Sequence, residues 1–304
     1  MEILPQERPL RSNGFALASQ PERLGRLTPT PPGQPIEALR EQYAAQGYLW
    51  LKQLLDPALV WEFRGRYFAA LAHTGLLAAG STPRDGIYAG GGEDKRLVTA
   101  KTVEIARWAA YEAFCLSRPI VDFYEAFFDA PVYLHKRMLL RFTRPHDPAC
   151  TGAHYDLVYL RAGTDELCTS WIPLGEIPVE MGGLVYLEGS DRWGRRMEAE
   201  FALKNADLSP EERLSAYNRN MNEGGWLTKN LPELADRLAT RWLIADYEAG
   251  DMVVHSPYMI HASTLNENPH GVMRLSTDIR FQRASDTIDP RWQNHWHPDD
   301  EKKF

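Results

Sequence analysis

"GDMVVHSPYMIHASTLNENPHGVMRLSTDIRF", residues 250–281, holds three apolar runs separated by turn residues. "DMVVH", "YMIH" and "RLSTDIRF" are too short for ordinary helices, and Gly, Pro, Asn and Asp bound them, as in strands. His261 closes the second run and Arg274 opens the third. Upstream, "VYLHKRMLLRF" (132–142), "DLVYLRA" (156–162), "LCTSWIPL" (167–174) and "GLVYLEG" (183–189) repeat the pattern. Several short strands at this spacing predict a sandwich or barrel over residues 131–285.

The segment before these strands reads differently. Residues 1–35, ending "TPTPPGQP", form a proline-rich arm with no regular period. From Ile36 the pattern turns helical, with Ile36, Leu39 and Tyr43 on one face. "GYLWL" (47–51) reads as a strand. Asp56-Pro57 marks a helix start whose apolar stripe is Val60, Phe63, Tyr67 and Leu71. "YAGGGEDK" (88–95) lacks the GK[ST] ending of a phosphate loop and reads as a plain loop. Two further helices are expected over 103–116 and 119–128. A polar, mostly helical insertion spans 191–240, with "SPEERLSAY" (209–217) as a capped start. Too polar to build its own core, it is expected to cover the mouth of the barrel as a lid. Residues 36–290 thus form one domain, with a helical layer over 36–130 and a polar tail at 291–304.

Composition excludes several classes. Hydrophobic residues make up 44% and charged residues 25%, as in ordinary globular proteins. A net charge of -7 offers nothing to nucleic acid. No apolar stretch approaches the roughly 18 residues of a membrane span. The N-terminus has no secretory pattern. Cys115, Cys150 and Cys168 show no CxxC spacing and read as reduced thiols in a cytoplasmic protein.

His154-Tyr155-Asp156 stands just before an apolar run. In extended chain, residues i and i+2 project to one side, so imidazole and carboxylate reach one point. Two histidines and one carboxylate leave three adjacent positions open on an octahedral metal, which suits Fe(II) oxygen chemistry. The third ligand must come from a distant strand, and His261 is of the right kind. His255 is a rival, read as a packed histidine instead. A second such pair, His297-Pro298-Asp299, lies in the polar tail and reads as surface. Arg274, on the strand after His261, has only Asp278 as a local acidic neighbour. A buried guanidinium needs a carboxylate, and a dicarboxylate ligand would supply one.

These motifs together resemble the phytanoyl-CoA dioxygenase family, Fe(II)- and 2-oxoglutarate-dependent oxygenases on a double-stranded β-helix. The likeness runs from about Ile36 to Phe281. "EQYAAQGYLWLKQLLDPALV" (41–60) is similar to the family's N-terminal segment. "HYD" (154–156) is similar to its HxD, "MGGLVYLEGSD" (181–191) to its glycine turn, and "GDMVVHSPYMIHAST" (250–264) with Arg274 to its distal histidine block. The chain departs at Asp191, where the family usually has histidine, and in a longer loop between His261 and Arg274. The resemblance implies iron on His154, Asp156 and His261. It implies the distal carboxylate of 2-oxoglutarate on Arg274 and Ser263, with Met138, Trp171 and Lys101 near the cosubstrate and O2 as the oxidant. Related halogenases replace the carboxylate, so Asp156 argues for oxygen transfer. The expected reaction is hydroxylation of a small-molecule C–H bond with release of succinate and CO2.

Two other functions fit the residues: a non-catalytic sandwich that binds a small acid, and a cupin-type metal enzyme without cosubstrate. Tyr186, Trp193 and Trp226 are candidates for an apolar substrate wall. Arg192, with Arg195, Arg196 and Lys229, is a candidate contact for an anionic substrate or part of a solvated helix face.

Overall fold

The computed structural model describes residues 9–222 and 224–297. The N-terminal half carries β1 (Arg11–Ser12), β2 (Phe15–Ala16), β3 (Leu24–Arg26), α1 (Ile36–Gln46), β4 (Tyr48–Leu51) and α2 (Pro57–Leu71). Helices α3 (Lys95–Ile105), α4 (Ala109–Cys115) and α5 (Arg118–Phe128) complete the helical layer. Then come β5 (Val132–Leu134), β6 (Leu139–Thr143), α6 (Leu157–Leu160), β7 (Leu167–Pro173) and β8 (Leu184–Leu187). The insertion supplies α7 (Asp191–Lys204), α8 (Pro210–Asn222) and α9 (Leu231–Arg237). Strands β9 (Trp242–Ile244), β10 (Met252–His255), β11 (His261–Ser263) and β12 (Arg274–Arg283) close the chain.

Two sheets face each other. One runs β4-β10-β7-β12-β5, with β6 beside β5 along the same edge of β12. The other runs β11-β8-β9-β3. Trp50, Trp171, Tyr186, Leu243, Tyr247 and Val253 pack between them. This is the expected double-stranded β-helix.

Side-chain alternation assigns the faces of the larger sheet. In β12, Leu275, Ile279 and Phe281 join the core under the helical layer, and Thr277 meets the Tyr111 hydroxyl of α4. Arg274, Asp278 and Arg280 face inward. In β7, Cys168 and Ser170 meet Tyr43 and Tyr124 of the helices, whereas Thr169 and Trp171 face inward. The polar interior residues of two long strands therefore converge on one cavity.

Local signals account for the helices. Asp56 accepts from the Ala58 amide at 2.8 Å and Pro57 sits in the first turn of α2. Val60, Phe63, Tyr67 and Leu71 are all buried. The helix expected over 103–116 is instead two. Asp94, inside the glycine loop, caps α3 by accepting from Arg96 and Leu97 amides, and α4 begins afresh after Trp108. "DLVYLRA" is not a strand. Asp156 adopts helical φ and ψ, and the four apolar residues after it make one fully buried turn. A short apolar run buried on all sides carries no period that separates helix from strand.

Residues 9–35 are more ordered than expected. Asn13 and Gly14, both at positive φ, turn β1 into β2. Strand β3 pairs parallel to β9, and Leu10, Leu17 and Leu27 are buried. The insertion also departs from a simple cover. Leu231, Leu234 and Ala235 of α9 are buried in a core shared with the barrel. Gly194 of α7 lies so close to Tyr258 that an added Cβ would stand 2.0 Å from its carbonyl oxygen. Ser209 and Glu212 form the expected reciprocal cap at α8.

Candidate active site

His154 and His261 face each other across a bridge between neighbouring chain segments, with amide–carbonyl distances of 3.0 and 2.9 Å. The Nδ1 of His154 lies 2.9 Å from the Gly152 carbonyl, and that of His261 lies 3.0 Å from the Met259 carbonyl. A carbonyl only accepts, so each Nδ1 carries the proton and each Nε2 presents a lone pair. Both Nε2 atoms point at Asp156 Oδ1, at 3.7 and 3.8 Å. One ligand atom from each of the three residues lies within 4.8 Å of the others, a spacing that could hold a metal ion.

Asp156 is held by its other oxygen. Thr169 Oγ1 donates to Oδ2 at 2.5 Å, Arg280 Nη2 lies 3.3 Å away and His255 Nε2 3.6 Å away. Burial opposes the carboxylate charge, but Arg280, His255 and His261 outweigh it and hold the carboxyl well below its usual range. Burial pushes His154 and His261 down, His261 further because His154 and His255 crowd it. Two neutral imidazoles and an ionised carboxylate are the protonation states a divalent cation requires.

Arg274 is buried beside this centre. Its Nη1 donates to the Gly182 carbonyl, its Nε has no partner, and no carboxylate lies within ion-pair distance among the described residues. Burial lowers the guanidinium to about 10, and Asp278 only partly offsets that. Gly182 sits at φ +73, and a Cβ there would meet the Thr264 carbonyl at 2.4 Å. The glycine of the "MGG" turn thus lets the loop after His261 close over it and leaves its carbonyl for Arg274. The loop is stitched by Asn266, which donates to the Thr143 and Val272 carbonyls, and Asn268, which accepts from His270 and Val272 amides. Ser263 accepts from the Thr151 amide and lines the same cavity as Arg274.

The pocket around the three residues is small, about 60 Å³, and Trp171, Trp226 and Arg274 line it. It shares Leu139, Arg141, Thr151 and Arg274 with a larger cavity of about 520 Å³ between α3 and β6, where Met138 and Ser263 lie. Other expected site residues are elsewhere. Lys101 pairs with Glu104 at 2.7 Å and lines neither cavity, because it projects from the far side of α3. Tyr186 is fully buried behind the centre, its hydroxyl 3.2 Å from His255 Nδ1. Trp193 packs into the core beneath α7, and Arg192 is exposed beside it. Of the proposed substrate wall, only Trp226 reaches the pocket, against Gly152. Arg195 and Arg196 pair with Asp191 and Glu200 on their own helix, and Lys229 lies over Trp226. Asp191, standing for the family's histidine, bonds the Ser256 hydroxyl and ties α7 to the strand that leads to His261. His297 of the second HxD is described; Pro298 and Asp299 lie outside the described residues.

Sequence reasoning missed Thr169, Arg280 and Arg141, and named Asp278 only as a neighbour of Arg274. The alternation of "RLSTDIR" was the available signal, since it places Asp278 and Arg280 on the face of Arg274. His255 was undervalued: it packs as read, but against Asp156 and His261.

A model of the family described as phytanoyl-CoA dioxygenase (PhyH) matches residues 43–275. The chain belongs to that family. Membership carries the enzyme class expected from the motifs, an iron- and 2-oxoglutarate-dependent oxygenase. Among curated relatives of this PhyH chain, the 1-deoxypentalenic acid 11-beta-hydroxylase of Streptomyces arenae is 26% identical over 263 residues, covering 82% of each protein. The same-named enzyme of Streptomyces exfoliatus is 26% identical over 260 residues, again covering 82% of each. Among solved structures, EctD from S. alaskensis in its apoform superimposes with a TM-score of 0.55 at 14% identity, covering 95% of this chain and 92% of that one. The epimerase SnoN in complex with Fe3+, alpha ketoglutarate and nogalamycin RO gives 0.53 at 18% identity, covering 84% and 86%. These likenesses establish the fold. No helix among the described residues is long and apolar enough to cross a membrane, and the three cysteines are free and buried.

Proposed function

We propose that this PhyH protein hydroxylates a C–H bond of a small organic molecule in the cytoplasm, with release of succinate and CO2. His154, Asp156 and His261 would hold Fe(II), and Arg274 with Ser263 would take the distal carboxylate of 2-oxoglutarate. The metal and cosubstrate, when bound, activate O2 for attack on an unactivated C–H bond. The chain's own task is placement. Gly152 and Met259 carbonyls aim the two imidazoles, and Thr169 and Arg280 hold Oδ2 of Asp156, which would leave Oδ1 free to hold the metal. Trp226 and Trp292 line the pocket and would limit the entry of water once a substrate is bound. The insertion would act as a lid through the Trp226 segment, while α7 and α9 anchor it.

The observation that carries this reading is Arg274, a fully buried guanidinium with an unpartnered Nε and, among the described residues, no carboxylate within ion-pair distance, Asp278 offsetting its burial only in part. Removing one member of a buried charge pair typically costs about 2–5 kcal/mol. Arg274→Ala should therefore weaken 2-oxoglutarate on the order of 30- to 4000-fold, with metal affinity little changed. Calorimetry with Mn(II) as a redox-silent metal measures both. Unchanged cosubstrate affinity in a folded variant would sink the assignment, and absence of any 2-oxoglutarate binding in the native chain would favour a cupin-type enzyme without cosubstrate.

A further inference from the structure

Resting on that reading, we infer that the substrate is a monoanion with an apolar body, held by Arg141 and housed in the cavity between α3 and β6. Charge balance is the first argument. Three guanidiniums, of Arg141, Arg274 and Arg280, line the small central pocket against two carboxylates, of Asp156 and Asp278. A divalent metal adds two positive charges and a bound dicarboxylate removes two. One positive charge is left uncompensated at the mouth of the pocket, where the Arg141 side chain is 41% exposed, and a further anion is favoured there, less strongly than in a closed interior.

Arg141 is the guanidinium placed to receive it. Arg274 is committed to the cosubstrate and Arg280 to Asp156. Arg141 has only a loose contact, Nε to Asp278 Oδ2 at 3.4 Å, and Oδ2 has no hydrogen-bond partner. It projects from the middle of β6, opposite Ser276 of β12, and lines both cavities. A group held there lies at the doorway to the metal centre.

The outer cavity supplies the rest. Its volume of about 520 Å³ falls within the range of small-molecule sites; the cosubstrate would take the end at Ser263 and Arg274, and the substrate body the end against α3. Val98 and Val103 of α3, Phe142 of β6 and Trp296 give it apolar walls. Of its other charged residues, Arg144 is paired with Glu93 and Asp147, and Lys95 stands exposed at the start of α3. An organic acid with a compact hydrocarbon body meets both features. Specificity would then lie in the helical layer and not in the basic residues of the insertion.

The test uses the full chain loaded with Mn(II) and 2-oxoglutarate. Decanoate and 1-adamantanecarboxylate serve as acid probes, with decanol and 1-adamantanemethanol as neutral partners, and binding is read by calorimetry. At least one acid should bind about tenfold or more tightly than its alcohol. Arg141→Met should abolish that preference. Thr99→Trp, which fills the cavity from the exposed rim of α3, should remove binding of acid and alcohol alike. Failure of both acids to bind, equal affinity for acid and alcohol, or binding undiminished in Thr99→Trp would each overturn the inference. The affinity of the native chain for 2-oxoglutarate, measured first, separates this outcome from failure of the underlying reading.

Discussion

At the scale of single residues, the centre depends on groups that touch no substrate. Thr169 is one hydroxyl on an interior face of β7, yet it donates the short bond that fixes Asp156 Oδ2. Loss of such a partner typically lowers metal affinity 10- to 100-fold. Thr169→Val keeps the shape of the side chain and removes the donor. It should therefore weaken Mn(II) by about that factor while leaving the fold intact, as isothermal titration and circular dichroism would show. Affinity equal to that of the native chain would mean that Arg280 alone orients the carboxylate. His154, Asp156, His261 and Arg274 were readable from the chain because each stands at the edge of an apolar run. Thr169 and Arg280 were not, because a threonine or arginine inside a strand has no distinguishing neighbour in sequence. Only the pairing of Thr169 with Arg280 across β7 and β12 brings both to Asp156.

At the scale of elements, one buried side chain of α2 reaches several loops at once. Arg64 of α2 donates to the carbonyls of Arg84, Asp85, Leu174 and Met273 at 2.8–3.0 Å. Its ring neighbours are Trp61 and Phe68. Met273 immediately precedes Arg274, so α2 helps to set the start of β12. Burial lowers this guanidinium to about 10, with Asp85 acting in the opposite direction. Arg64→Met fills similar space but strands buried carbonyls, at about 1–3 kcal/mol for each group left unsatisfied. Chemical denaturation should register a loss of about 3 kcal/mol or more, and a change within error would show that water replaces the guanidinium. The stripe of α2 and its cap were legible, since the local signals agree with the packing. Helix α6 and the split between α3 and α4 were not. An all-buried turn looks like a strand, and Asp94 was hidden in a glycine loop. Strand β3 was missed because its partner, β9, lies more than 200 residues away and its own residues are half exposed.

At the scale of the whole molecule, the net charge of -7 and the cationic interior have opposite signs. Net charge therefore does not report which small ions the central pocket favours. The same interior makes the fold sensitive to acid. His135 of the β5–β6 connection is buried, with Nε2 2.8 Å from Gln282 Oε1. Burial lowers it to about 4, Gln282 opposing and Arg280 adding to the effect. A folded value below the unfolded value of about 6.5 means that the unfolded chain binds the proton first. The stabilisation is thus complete above about pH 6.5 and is lost as pH falls toward 4. By pH 4.5 this one group should cost about 2–3 kcal/mol. His154 and His261 shift in the same direction and add to the slope when no metal is bound. His135→Asn keeps a donor toward Gln282 and does not titrate. With a chelator present, urea denaturation at pH 7.5 and pH 4.5 should show the native chain losing more stability than His135→Asn by about that 2–3 kcal/mol. Parallel losses in the two proteins would mean that His135 becomes protonated without unfolding, by swinging away from Arg280 toward solvent, and that the acid sensitivity resides in the metal-binding histidines alone.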